Sequence, residues 1–278
     1  MVEKNRLALN RIACPSLGMD EFFALAQGLG IRKVELRNDI RDGRVLDGLD
    51  PGKVKDLASA RRLRIVTVNA LQKFNLASRR DAVWKDLESL LETCASISCP
   101  ALVLCPNNSP EDGRSAERRF AEAAEALTAF GPAFRDAGVT GLVEPLGFGI
   151  SSLPSVLTAV QAIKASGQGC YKVLADSFHH YLGPDSLEDL CSAAKEGWIG
   201  FVHISGVEDA IPKEAFLDGN RILPGPKDVM QSKKTVEALA ASGFAGDVSF
   251  EPFSKVVQEM DASRLSAALA LSMEWLAR

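Results

Sequence analysis

The stretch from Gly167 to His180, GQGCYKVLADSFHH, contains the pattern on which the fold turns: a glycine, an apolar run, then charge. Residues 173–175, VLA, have the character of a sheet interior, yet Asp176, His179 and His180 follow at once, including two of the chain's three histidines. An apolar run without polar alternation suits a strand buried on both faces, as in parallel sheets covered by helices. The glycine just ahead of it stands where a helix would end in a left-handed cap. Acid and imidazole after such a strand are either a solvated turn or a site.

The same unit recurs along the chain. Eight β-type runs stand at 7–13 LALNRIA, 33–38 KVELRN, 65–71 IVTVNAL, 101–106 ALVLCP, 140–146 TGLVEPL, 171–177 YKVLADS, 199–205 IGFVHIS and 247–253 DVSFEPF. Helical period separates them: Val83, Leu87, Leu90, Leu91 and Cys94 fall on one face, as do Phe120, Ala124, Leu127 and Phe134. Gly30, Gly138, Gly167, Gly197 and Gly243 each precede a strand as candidate caps. Alternating strand and helix implies parallel strands joined by crossovers, and eight such units are the count of a (β/α)8 TIM barrel. The rival, a doubly wound open sheet, lacks its GxGxxG after an early strand.

Composition agrees with one large domain over residues 1–278, since 46% hydrophobic and 24% charged residues suffice for a sizeable core. No run of about eighteen apolar residues exists, and the N-terminus has no sustained apolar stretch, so neither a membrane span nor a signal peptide is expected, and a cytoplasmic location is. Six cysteines are scattered without a CxxC pair, which suits reduced thiols better than disulfides or a zinc cluster. A net charge of −4 offers no general attraction for nucleic acid or anionic membrane.

In a barrel, chemistry gathers at the C-terminal ends of the strands. Those ends read Asn10, Glu35 with Arg37, Asn69, Cys105, Glu144, Asp176, His203 and Glu251. Taken singly, a strand-end acid is usually a solvated loop residue or a helix cap. Glu144, Asp176, His203 and Glu251, however, lie on four successive strands, and closing the barrel brings them around one point. Three carboxylates held together repel, and without a cation one must take up a proton. One divalent ion removes the conflict. An imidazole with three carboxylates suits Mn, Mg, Co, Fe or Zn without choosing among them.

At this point the sequence resembles the xylose isomerase-like barrels of sugar isomerases and epimerases, and among these more closely the inosose isomerases of inositol catabolism. The resemblance spans nearly the whole chain through VELRN (34–38), VNAL (68–71), VEPLG (143–147), LADSFHH (174–180), the segment from Phe201 to Pro226, and SFEPF (249–253). The first two are weak alone; the last four are specific. The resemblance implies metal ligation by Glu144, Asp176, His203 and Glu251. It places His179 of the D-x-x-H pattern beside the substrate and Arg221 of R-x-x-P-G near the site. PGPKD, where relatives often show a second glycine, departs from the family and bears on substrate specificity.

The bland alternatives are a packing or capping role for His179, a structural His180, and a surface salt bridge for Arg221, which otherwise donates to substrate or pairs with Glu144 or Asp176. The segment from Ser205 to Pro226 is long for a βα loop and is expected to cover a ligand. No glycine-rich phosphate cradle follows strand seven or eight, which points to an unphosphorylated polyol ketone or ketose. The implied reaction is movement of a carbonyl to the adjacent carbon through an enediolate, with Glu144 and Glu251 as proton-transfer groups. A dehydratase would share the first step, and a catalytically silent sugar-binding barrel would share the site. A three-metal DNA-repair endonuclease needs more histidines than three. The sequence leaves room for a homo-oligomer.

Overall fold

The computed structural model describes residues 2–278. Eight strands close into a parallel barrel in sequence order: β1 (Leu7–Asn10), β2 (Lys33–Arg37), β3 (Arg64–Gln72), β4 (Ala101–Cys105), β5 (Thr140–Val143), β6 (Tyr171–Asp176), β7 (Ile199–Ile204) and β8 (Asp247–Phe250). β8 pairs back onto β1, so no edge is left open. Helices alternate with the strands and cover the outside.

The glycine caps are as expected. Gly30, Gly138, Gly167, Gly197 and Gly243 all have positive φ, between 64° and 97°, a region closed to most side chains. Helix Arg80–Ser96 buries Val83, Leu87, Leu90, Leu91 and Cys94 as its spacing implies. The face of helix Ala116–Ala137 is rotated from the expected one: Ala123, Ala126, Leu127, Phe130 and Phe134 are buried, while Phe120 and Ala124 are half-buried at its edge. All six cysteines are free thiols.

Strand residues divide between two apolar compartments largely by strand parity, with an irregularity in β3 between Ile65 and Thr67 that puts Val66 inside and Val68 outside. Leu9, Leu36, Val68, Leu104, Val143, Val173, Val202 and Phe250 pack outward with the helices. Ala8, Val66, Val103, Leu142, Leu174 and Phe201 form a separate plug within the barrel. Asn10, Cys105, Glu144, Asp176 and His203 each lie two residues beyond a plug residue, on the same face of the chain. The candidate site is therefore the next layer above the plug.

Several strands are shorter than expected. β1 stops at Asn10, whose side-chain oxygen accepts from Ile12 N at 3.0 Å and caps a 3-10 turn at Arg11–Ala13. β5 and β8 stop just before Glu144 and Glu251. Each glutamate makes one last ladder bond, to Leu104 O and Ile204 O at 3.0 Å, and is followed by Pro145 or Pro252, which has no N–H to continue.

β6 runs directly into the short helix Ser177–Leu182, which carries His179. Gly147 packs against that helix so closely that a Cβ there would lie 1.9 Å from His179 O. Gly147→Ala is expected to lower stability by about 1–3 kcal/mol through overpacking, whereas Gly149→Ala, with open space at its Cβ, should leave it nearly unchanged. Urea denaturation of the two variants checks this; equal midpoints would mean that the 177–182 helix moves aside freely.

Candidate metal centre

Pairing register sets the site. Asp176 pairs with His203 across β6 and β7, and His203 with Ser249 across β7 and β8, while Glu144 and Glu251 cross the mouth from β5 and β8. Glu144, Asp176, His203 and Glu251 are all buried, and each presents one ligand atom within 4.8 Å of the others. The four expected ligands thus meet at one point.

Each side chain is held in place. Asp176 Oδ1 caps the 177–182 helix, accepting from Phe178 N at 2.6 Å and His179 N at 3.4 Å, while Oδ2 pairs with Arg221 Nη2. His203 Nδ1 lies 3.0 Å from both Glu144 Oε1 and Glu251 Oε2, and its Nε2 lies 3.1 Å from Glu35 Oε2. Glu251 Oε1 accepts from Arg37 Nη1 at 2.7 Å, Asn10 Nδ2 at 3.2 Å and Asn69 Nδ2 at 3.4 Å. Glu144 Oε2 faces the Cys105 thiol at 3.5 Å. Burial and the neighbouring Glu144 push that thiol well above its ordinary pKa, so it stays protonated and donates.

The charges are strongly coupled. Burial raises the Asp176 carboxyl, Arg221 and His179 offset part of this, and Glu251 and Glu144 add to it. Burial would also raise Glu251, but His203, Arg221 and Arg37 reverse the effect and hold it well below the ordinary carboxylate range. Burial alone would depress His203, yet Glu251, Glu35 and Glu144 lift it well above an ordinary imidazole. His203 and Asp176 are thus both shifted toward holding a proton, as crowded carboxylates demand.

Such a set fits a divalent cation. Its donors are one imidazole nitrogen and carboxylate oxygens, all dry and close, and its excess negative charge is met only in part by two arginines. Glu144, Asp176, His203 and Glu251 would hold the ion. Glu35, at a strand end without an assigned role in the sequence, would steady His203 from behind. Its Oε2 also accepts from Thr67 Oγ1 at 2.5 Å. A carboxylate behind a ligating imidazole orients the ring and selects which nitrogen faces the metal. The ExR spacing on a strand was the one available signal, since residues 35 and 37 share a face.

Arg221 is buried, which excludes the surface salt bridge. It pairs with Asp176, as one alternative had it, but its other partners are Glu251 at 2.7 Å and Asp218 at 3.1 Å; the Glu144 pairing does not form. Its guanidinium lies over the rings of Phe253 and Phe178, 4.6 and 5.1 Å from their centroids. The long segment folds back through Gly206 and Ile222, which exchange backbone bonds of 2.8 Å, and this places Arg221 at the mouth. His179 is buried, its ring edge-on to Phe148 and Phe178, and its Nδ1 has no partner among the described residues. Both residues line a cavity of about 170 Å3 together with Glu144, Glu251, Asn108 and Phe253. His180 is half-buried and does not line that cavity.

A closed parallel barrel with acids and an imidazole converging above its apolar plug is a β/α barrel with a candidate site at the C-terminal face. The chain belongs to the xylose isomerase-like TIM barrel family, whose profile matches residues 23–278. A xylose isomerase domain containing protein from Salmonella typhimurium LT2 is 37% identical, with a TM-score of 0.92 over 100% of this chain and 99% of that one. The IOLI protein, solved with a zinc atom bound, is 20% identical, with a TM-score of 0.88 over 98% and 97%. A D-psicose 3-epimerase solved with D-fructose is 17% identical, with a TM-score of 0.76 over 97% of each chain. The last two likenesses concern the fold. No curated protein matches the sequence. Among the described residues, no helix is long and apolar enough to cross a membrane.

Two outcomes follow from this geometry. Protein purified without chelators should carry close to one equivalent of divalent metal by elemental analysis, and Asp176→Ala or His203→Ala should lose it; two or three equivalents would contradict a single centre. Arg221 Nη2 shares the oxygens of Asp176 and Glu251 that a cation would use, so Arg221→Ala should bind Mn2+ about tenfold more tightly by calorimetry. Weaker binding would make the arginine a scaffold of the site.

Proposed function

We propose that this chain is a metal-dependent isomerase that moves a carbonyl between adjacent carbons of an inosose, 2-keto-myo-inositol, or a related ketose through an enediolate. The observation that carries this reading is the four-residue cluster, with ligand atoms within 4.8 Å of one another, two of whose members, Glu144 and Glu251, line a small cavity. When bound, a divalent ion supplies Lewis-acid polarisation of a ketone oxygen and its neighbouring hydroxyl. The chain's own residues bind, orient and move the proton.

The two glutamates differ in what they can do. Both oxygens of Glu251 are engaged, by Arg37, Asn10 and Asn69 on one side and by Arg221 and His203 on the other. A carboxylate so heavily donated to is a weak base. Among the described residues, the Glu144 carboxylate meets only His203 and the Cys105 thiol. Glu144 is therefore assigned to lift the proton from the hydroxyl-bearing carbon, with Glu251 across the mouth anchoring the far side and able to return it. His179 and Arg221, which both line the cavity, are assigned to the substrate hydroxyls.

Charge supports an uncharged substrate. The buried carboxylates Glu35, Glu144, Asp176 and Glu251 are matched by two buried guanidiniums, Arg37 and Arg221, and one divalent ion. Nothing is left over for a phosphate, in agreement with the missing phosphate cradle. A dehydratase would begin with the same proton transfer and then expel hydroxide, so only the product separates the two.

Glu144→Gln should keep the metal yet lower turnover by roughly 10² or more, the usual contribution of a positioned base; near-native turnover would reduce Glu144 to a ligand. Wild-type protein with 2-keto-myo-inositol in D2O should yield a second inosose by NMR, of unchanged mass apart from any deuterium. A product lighter by one water would establish the dehydratase. No change with any inosose or ketose, with Mn2+, Mg2+, Co2+ and Zn2+ each supplied, would leave a binding protein.

A further inference from the structure

The mouth of the barrel has a second cavity beside the one just described. The inner cavity measures about 170 Å3 and the outer one about 570 Å3, and Asp39 and Gln72 line both. Sites for drug-sized ligands run to about 300–1,000 Å3. The inner space accepts one small polyol; the outer one accepts a further group.

The outer cavity lies between the loop after β2 and helix Arg80–Ser96. Its floor includes the buried side chains of Leu71 and Leu90, and its rim the exposed Gln72 amide and Ser89 hydroxyl. Apolar patches flanked by amide and hydroxyl groups complement a sugar, which has C–H faces and hydroxyl edges. Charge there is even: Arg44 and Asp86 bring one of each sign, and Asp39 is engaged by Arg37 through two contacts of 2.7 Å. A neutral occupant is favoured over an ionic one.

The outer wall is preformed. Arg41 and Asp47 hold left-handed backbone, with φ of 52° and 53°, beside Gly43 and Gly48 at 71° and 76°. Such conformations persist in non-glycine residues only where surroundings impose them, and they gather at ligand clamps. At Asp47 the anchoring group is the fully buried Arg11, which grips both carboxylate oxygens at 2.9 and 2.5 Å. A wall already ordered loses little entropy when a ligand arrives.

We propose that the outer cavity is a subsite for a neutral glycosyl group. The substrate is then a ketose ring in the inner cavity bearing a sugar that passes between Asp39 and Gln72. The identity of the inner ring rests on the reading under Proposed function; the outer site rests on its own lining.

Methyl β-D-glucopyranoside, a glycosyl group without a ketone, tests the outer site alone. In amide NMR titrations it should shift Gly43, Gln72 and Ser89, with or without Mg2+. With Mg2+ present, the disaccharide ketose lactulose should bind about tenfold or more tightly than fructose, because the second contact is intramolecular. Ser89→Trp, which fills the cavity from an exposed helix position, should bring that ratio to about one. Absence of the glucoside shifts, or equal binding of the two ketoses, would overturn the proposal. Glucoside shifts at these residues in a protein that turns over no ketose would uphold the outer site while the isomerase reading falls.

Discussion

The carboxylates of Glu35, Glu144, Asp176 and Glu251 surround one imidazole and two guanidiniums, all buried from solvent, and the rest of the mouth is organised around that crowding. Removing charge from water is expensive and is offset where the oxygens find donors or a cation; Glu35 Oε1 has no partner among the described residues. Here Arg37, Arg221, Asn10, Asn69, Thr67 and the Cys105 thiol are spent on those oxygens. The opposed shifts of Asp176, Glu251 and His203 record the same crowding. A divalent ion would answer it with two positive charges at one point, where guanidiniums can only approach from the side.

The barrel makes this arrangement reproducible. Parallel strands place every second residue inward, so the layer above Leu142, Leu174 and Phe201 consists of Glu144, Asp176 and His203. The proline after each of Glu144 and Glu251 ends its strand and turns the chain outward without moving the glutamate from that layer. Asp176 serves twice, with one oxygen on the helix that carries His179 and the other toward the cluster. The helix that presents a group to the cavity is thereby tied to a ligand of the proposed metal.

Much of this is legible in the chain itself. The eight apolar runs, the glycines at helix ends, and the acids and histidine after four successive strands are local patterns that need only the period of a strand and the handedness of a cap. Other features depend on residues far apart in the chain. Glu35 reaches His203, 168 positions away, and Asn10 reaches Glu251 across the closure of the barrel. Arg221 sits in a loop without regular period, so its pairing with Glu251 and not Glu144 follows from how the 205–226 segment folds back. The asymmetry between Glu144 and Glu251, alike in sequence as strand-end glutamates before proline, exists only in their partners.

The sequence by itself determined the barrel, the four residues that converge at its mouth and the family to which the chain belongs, because periodicity and strand parity are written residue by residue. Tertiary structure alone decided which carboxylate is pinned and which is freer. It also decided which nitrogen of His203 faces the cluster, and that a second cavity opens beside the first. Those depend on distances between side chains brought together by ring closure and on the burial that sharpens every charge interaction among them, and neither quantity exists until the eight strands have met.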